Sequence, residues 1–243
     1  MHPRLVKQFS RYDPPVNDLD AAGYALSELA LPHDQCEQLA LQLPAVSGGR
    51  AGVRNLISHP TVVRLLHHKK IGDYLWSVIG RDLIAVKATL FDKTPEANWR
   101  VQWHQDRMIA VKERIHVPGY GPWSTKSGSL HVEPPAEVLA QMLAIRIHLD
   151  VCGSENGPLR VIPGTHRRGK LEDPQVAALA SEKSIVEVPV PEGAILLMRP
   201  LLVHSSSPAR ASAHRRVLHV EFAPRESISP LQWQNAVPLR RAA

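Results

Sequence analysis

Cysteine is almost missing from this chain: Cys36 and Cys152 are the only two in 243 residues. Two thiols make neither a disulfide framework nor a cysteine-rich zinc site, and they fit a reducing compartment. Long apolar runs are also lacking. The run Ala194 to Met198 is far too short to cross a bilayer, and the opening MHPRLVKQF has no signal-peptide core, so the expected protein has no membrane association and a cytoplasmic location. Repeats, low-complexity tracts and long Gly/Ser linkers are missing too, which argues against a solenoid and against extensive disorder.

What is present is ordinary globular composition, 44% hydrophobic and 21% charged. The length suits one domain over residues 1–243, as all-β barrels and sandwiches of this size are commonly single units. The net charge of +6 comes from Lys and Arg scattered along the chain without a recognition-helix, RRM or zinc-finger pattern, so nucleic acid is not expected as a partner. Positive charge of this kind serves equally to attract small anionic substrates. Oligomeric state leaves no mark in the sequence.

Residues 1–80 read as mainly helical. Pro32 to Leu43 holds helix formers between two prolines, and Pro60 opens a segment to Gly80 in which Val62, Leu65, Leu66, Leu75, Val78 and Ile79 recur at helical spacing. From about Asp82 the pattern changes to short runs of β-branched and aliphatic residues between Pro, Gly and Ser clusters. Strands are expected at Leu83 to Phe91, Arg100 to His104, Leu143 to Val151, Leu159 to Ile162, Ser184 to Val188, Ala194 to Met198 and Val217 to Phe222, with a short helix at Pro135 to Met142. Strands without alternating long helices predict an antiparallel sandwich or jelly roll over residues 81–224, followed by a tail over 225–243.

Two His-x-Asp triplets carry the candidate chemistry. In Trp103-His104-Gln105-Asp106, strand periodicity sends His104 and Asp106 to one face, where two ligands converge. Two imidazoles and one carboxylate on one side of an octahedron are what a non-haem iron(II) site needs, and His204 is the leading distant third ligand. Arg215 follows eleven residues after His204, and an arginine there can clamp a carboxylate bidentately while a metal chelates its other end. The second triplet, His148-Leu149-Asp150, lies in a run where Ile145, Ile147, Leu149 and Val151 share one face and Arg146, His148 and Asp150 the other. Spacing alone leaves both triplets open as the metal site. A polar mid-strand face also fits a barrel interior, with Arg146 either paired to Asp150 or lining the substrate pocket.

Ordered motifs then resemble the phytanoyl-CoA dioxygenase family of Fe(II)/2-oxoglutarate oxygenases over about residues 81–224. Trp103-His104-Gln105-Asp106 looks like its first metal motif. The stretch from Asn156-Gly157-Pro158 to Pro163-Gly164-Thr165-His166 looks like its NG-L-V-PG-[ST]-H signature. The resemblance implies a double-stranded β-helix, the jelly-roll form of cupin-like barrels, with N-terminal and flanking helices. It implies that His104, Asp106 and His204 hold Fe(II), that the strand of His148 supplies no ligand, and that Arg215, assisted by Ser206, binds 2-oxoglutarate. Arg216 is the less favoured clamp because consecutive strand residues face opposite ways. Lys87, alternating with Thr89 and Phe91, either reaches the co-substrate or snorkels to the surface. His166 is expected to be structural or near the pocket mouth.

The irregular stretch Val111 to Pro135 carries Arg114, Tyr120, Trp123, Lys126 and His131. Such a segment is either a substrate-contacting lid, with Trp123 among its contacts, or a solvated loop. The implied reaction uses O2 and 2-oxoglutarate to hydroxylate a small molecule, releasing succinate and CO2; desaturation, ring closure and epoxidation would use the same triad. Retention of Asp106 argues against a halogenase. The alternatives are a non-catalytic cupin-like binding protein and a zinc-dependent hydrolase or isomerase, and Arg215 is the residue that neither requires.

Overall fold

Strand-forming residues dominate from Ile84 onward, and the computed structural model, which describes residues 10–11, 18–46, 49–210 and 214–241, is accordingly mainly β. The N-terminal part holds β1 (Ser10–Arg11), α1 (Leu19–Ala22), β2 (Tyr24–Ala30), α2 (His33–Gln42), β3 (Gly52–Val53), α3 (Pro60–Leu66) and α4 (Lys69–Ile79). Next come β4 (Ile84–Lys93), β5 (Val101–His104), β6 (Ile109–Val111), β7 (Trp123–Lys126), β8 (Ser129–Val132), α5 (Ala136–Ala140) and β9 (Leu143–His148). The chain continues through β10 (Leu159–Val161), α6 (Asp173–Glu182), β11 (Val186–Val188), β12 (Ala194–Met198), β13 (His204–Ser206), β14 (Arg215–Ala223) and β15 (Val237–Pro238).

Among the described residues these strands form three antiparallel sheets. The largest runs β1-β2-β12-β9-β14-β4-β15 with β3 also on β4, the second runs β11-β10-β13-β5, and the third runs β6-β8-β7. The first two face one another as a double-stranded β-helix, the jelly-roll form of cupin-like barrels, with helices flanking the larger sheet.

Strand alternation explains why one face of that sheet is apolar and the other chemical. On β4, Ala88 and Leu90 point outward into a core shared with Leu39, Val62, Leu65, Leu66 and Leu75 of the helices. Each fully buried aliphatic side chain there contributes roughly 1.5–3 kcal/mol. Lys87, Thr89 and Phe91, one residue out of phase, line the interior instead.

The structure corrects several sequence expectations. The helical N-terminal part contains a seven-residue strand, β2, which pairs with β12 through Leu26↔Leu196 and Tyr24↔Met198. The segment Pro60 to Gly80 is two helices, because the backbone leaves helical geometry at His68. Expected strand Leu143 to Val151 ends at His148, whose carbonyl accepts from the Gly193 amide instead of a strand partner, and Val151 is left 59% exposed. Val111 to Pro135 is not structureless, since β7 and β8 form a hairpin within it. The tail over 225–243 packs back through β15 on β4 and through a bridge between Trp233 and Val111.

Candidate active site

His104 closes β5 and His204 opens β13, and the two are direct cross-strand partners. Their rings stand 4.2 Å apart between centroids. Each Nδ1 meets a backbone carbonyl two residues back, that of Gln102 at 2.7 Å and that of Leu202 at 2.8 Å. A carbonyl only accepts, so Nδ1 carries the proton and Nε2 is left with a free lone pair. Both Nε2 atoms face Asp106, at 3.6 Å from its Oδ1 for His104 and 3.8 Å from its Oδ2 for His204. One donor atom from each of the three residues lies within 4.8 Å of the others, a set a single cation can bridge. Burial pushes the Asp106 carboxyl up, but His204 and His104 beside it outweigh burial and hold it well below the usual carboxylate range. Burial, with His104 adding to it, pushes His204 down to about 3, so it stays neutral and able to ligate.

Gln105, facing away between the two outer members of the triplet, fixes their frame. Its amide nitrogen donates to the carbonyls of Gly169 at 2.9 Å and Leu201 at 2.7 Å, and its oxygen accepts from the Leu171 amide at 2.8 Å. The Asp106 amide donates to Pro200 O at 2.9 Å, tying the triplet to the loop that leads into His204.

These residues open into a cavity of about 540 Å³ lined from both sheets. Two buried arginines, Arg215 and Arg146, belong to its lining, and a buried lysine, Lys93, stands behind it. Arg215 is 2% exposed and donates to the Gly157 carbonyl at 3.0 Å, while its Nε finds no partner. Gly157 is suited to that close approach: its φ is +61°, and a Cβ there would lie 2.3 Å from the Ser207 carbonyl oxygen. Arg146 reaches His219 Nδ1 at 3.3 Å and also leaves its Nε unpaired. Lys93, fully buried, donates to Ser206 Oγ at 3.0 Å and to the Ser207 carbonyl. Burial, then Arg215 and Arg146, pushes its ammonium down to about 7. Buried guanidinium nitrogens without partners, beside an ammonium with no acid among the described residues, fit a bound carboxylate.

Other residues singled out from the sequence fall as follows. Ser206 lines the cavity beside Arg215. Arg216 points the other way and holds Asp150 through three hydrogen bonds of 2.6–2.9 Å from its backbone and side chain. Asp150 therefore does not pair with Arg146, because the strand ends before it. His148 stays in the interior with both ring nitrogens unpaired, and burial, then Arg146 and Arg215, pushes its pKa well down. Lys87 lines the cavity and pairs with Glu221 at 2.6 Å. Trp123 does not line it: β7 carries its ring into a separate core, where Arg114 stacks over it at 5.3 Å. His166 sits in a 3-10 turn against the Asp20 carbonyl at 3.2 Å. Lys93, Glu221 and His219 were not singled out, although continuing the alternation Lys87, Thr89, Phe91 by one step reaches Lys93.

Two imidazoles and one carboxylate that leave open positions on the same cation, set within a jelly roll, define the class of the non-haem iron(II) oxygenases. The match to a family model described as Phytanoyl-CoA dioxygenase (PhyH), over residues 42–217, is narrower, and the chain belongs to that family of Fe(II)- and 2-oxoglutarate-dependent oxidoreductases. No curated protein matches it by sequence. Among solved structures, EctD from S. alaskensis with bound Fe is similar at a TM-score of 0.65 and 18% identity, covering 97% of this chain and 95% of that one. AviO1 from Streptomyces viridochromogenes aligns at 0.61 and 21% identity, covering 91% and 95%. The non-heme alpha ketoglutarate dependent carbocyclase SnoK from nogalamycin biosynthesis aligns at 0.63 and 16% identity, covering 85% and 81%. At these identities the likeness is one of fold.

Proposed function

We infer that the protein hydroxylates a small-molecule metabolite, with His104, Asp106 and His204 holding Fe(II) and Arg215 and Ser206 binding 2-oxoglutarate. The observation that carries this reading is the opening of the three-residue donor set and the buried, half-unpaired Arg215 into one cavity. When bound, iron and 2-oxoglutarate supply a two-electron oxidation by O2 that inserts one oxygen atom into a substrate C–H bond and the other into succinate, with loss of CO2.

The chain's own residues do the positioning. Gln102 and Leu202 carbonyls fix the tautomers and ring planes of both histidines. Ionised Asp106 supplies the negative ligand. Arg215 orients the distal carboxylate and the Ser206 hydroxyl donates to it. Phe91, Trp99 and Val101 contribute apolar lining, which limits water around the reacting groups. The cavity is larger than 2-oxoglutarate alone requires, and its rim carries Arg54, Arg100 and Lys126. A hydroxylated small molecule fits the remaining space, and the pairing of β15 with β4 supports residues 1–243 acting as one unit.

Anaerobic reconstitution with Fe(II) and 2-oxoglutarate, followed by a metabolite screen for oxygen-dependent succinate release, tests the reading. Substrate-stimulated succinate formation in step with a product 16 mass units heavier is the expected result. Turnover with Zn(II) in the absence of O2 would replace it by the hydrolase reading.

A further inference from the structure

We propose that Lys93 is a second cation for the distal carboxylate of 2-oxoglutarate, closing on it from the strand opposite Arg215 so that the co-substrate is clamped from β4 and β14 together. The proposal rests on the function inferred above and assigns a role to a residue outside the iron, arginine and serine set.

Position comes first. Lys93 is the direct cross-strand partner of Arg215, and side chains opposite one another in an antiparallel pair share a face. Its Nζ donates to Ser206 Oγ at 3.0 Å. A serine hydroxyl that accepts from an ammonium keeps its own O–H free to donate, and here Ser206 lines the cavity. Lys93, fully buried and not itself part of the cavity lining, thus stands directly behind Ser206 and orients the hydroxyl that lines it.

Charge comes second. The titratable groups that bear on Lys93 are Arg215 from β14, Arg146 from β9 and the Cys152 thiol beyond it. None is an acid. Asp92, its neighbour on β4, faces the other way and holds His214 at 2.9 Å. Trp99 covers the ammonium with its ring centroid 5.5 Å away. A fully buried lysine beside two arginines, with no carboxylate acting on it among the described residues, is unfavourable in the free protein, and a methionine would fill the same space without that penalty. A bound dicarboxylate supplies the missing negative charge. Because burial and Arg215 hold the ammonium near neutrality at about 7, co-substrate binding must take up a proton above that pH.

The test is anaerobic titration of the Fe(II) protein with 2-oxoglutarate, read from the metal-to-ligand charge-transfer band, at a series of pH values. Wild type should bind with a constant Kd below about pH 7 and weaken by up to about tenfold per pH unit above it. Lys93→Met should raise Kd at pH 6.5 by roughly tenfold to 100-fold, as expected for a lost hydrogen bond to a charged group, and should flatten the profile. Lys93→Arg should keep tight binding with a flat profile, since its charge does not titrate. Unchanged Kd in Lys93→Met, or a wild-type profile flat from pH 6.5 to 8.5, overturns the proposal, and the wild-type profile decides alone where a variant does not fold. Wild type that binds no 2-oxoglutarate at any pH would instead remove the oxygenase reading, and this proposal with it.

Discussion

His204 sits directly across from His104 on neighbouring antiparallel strands, and each ring is turned by the carbonyl two residues before it so that both Nε2 atoms look at Asp106. The geometry of this candidate donor set is thus a property of two strand ends and their backbone. His104→Ala and His204→Ala should each weaken Fe(II) binding by at least about 100-fold, whereas His148→Ala should leave one Fe(II) per chain. Equilibrium dialysis with metal analysis measures this directly. Retention of iron in both ligand variants, with loss in His148→Ala, would transfer the site to the other triplet.

Arg215 lines the cavity while Arg216, its neighbour on β14, turns the other way onto Asp150. Arg215→Ala should still take up Fe(II) but lose 2-oxoglutarate affinity by at least about 30-fold, the scale of a buried carboxylate losing its arginine. Arg216→Ala should bind 2-oxoglutarate normally and instead lose about 1–3 kcal/mol of stability, because Asp150 is left with only the backbone amide as donor. Charge-transfer titration and urea unfolding of the two variants should give opposite patterns.

Lys93 also has a signature in stability. Its ammonium has a folded-state pKa pushed down to about 7 by burial and Arg215, below the unfolded value near 10.4. Below about pH 7 the folded state carries the buried charge at full cost; between about pH 7 and 10 the folded state has released that proton while the unfolded chain retains it, so this group makes stability rise with pH. Lys93→Met should therefore be more stable than wild type in the absence of 2-oxoglutarate at pH 6.5, by several degrees in Tm. Its advantage should shrink steadily as the pH is raised toward 10. A difference in Tm that does not change between about pH 6.5 and 10 would show that the ammonium titrates alike in the folded and unfolded chain, so that burial does not depress it.

Gln105 is held by three hydrogen bonds, two of them buried, to the backbone of segments that flank the His104-Gln105-Asp106 triplet. Gln105→Ala leaves two carbonyls and one amide without partners, which should cost about 2–4 kcal/mol and lower Tm by roughly 5–15 °C. Fe(II) affinity should fall by about tenfold without loss of the ligands, since the frame between His104 and Asp106 loosens. A thermal melt together with metal titration checks both parts. An unchanged melt would mean that Pro200, bonded to the Asp106 amide, holds the triplet by itself.

The sequence by itself determined which side chains can share a face. Alternation placed His104 with Asp106, set Arg215 apart from Arg216 and marked Ala88 and Leu90 off from Lys87, because a strand reverses its side chains at every residue whatever its partners are. It also carried the motif order that resembles the phytanoyl-CoA dioxygenase family. Only the tertiary structure decided where strands end and what lies opposite them. The interior run beginning at Arg146 breaks after His148 because its carbonyl meets Gly193, forty-five residues away in sequence, so Asp150 turns out to Arg216. Lys93 becomes the neighbour of Arg215 through the β4–β14 register, β2 becomes a strand because β12 offers it a partner, and Trp123 is carried out of the cavity by the hairpin it belongs to. These outcomes depend on hydrogen bonds between residues far apart in sequence, which local periodicity does not encode.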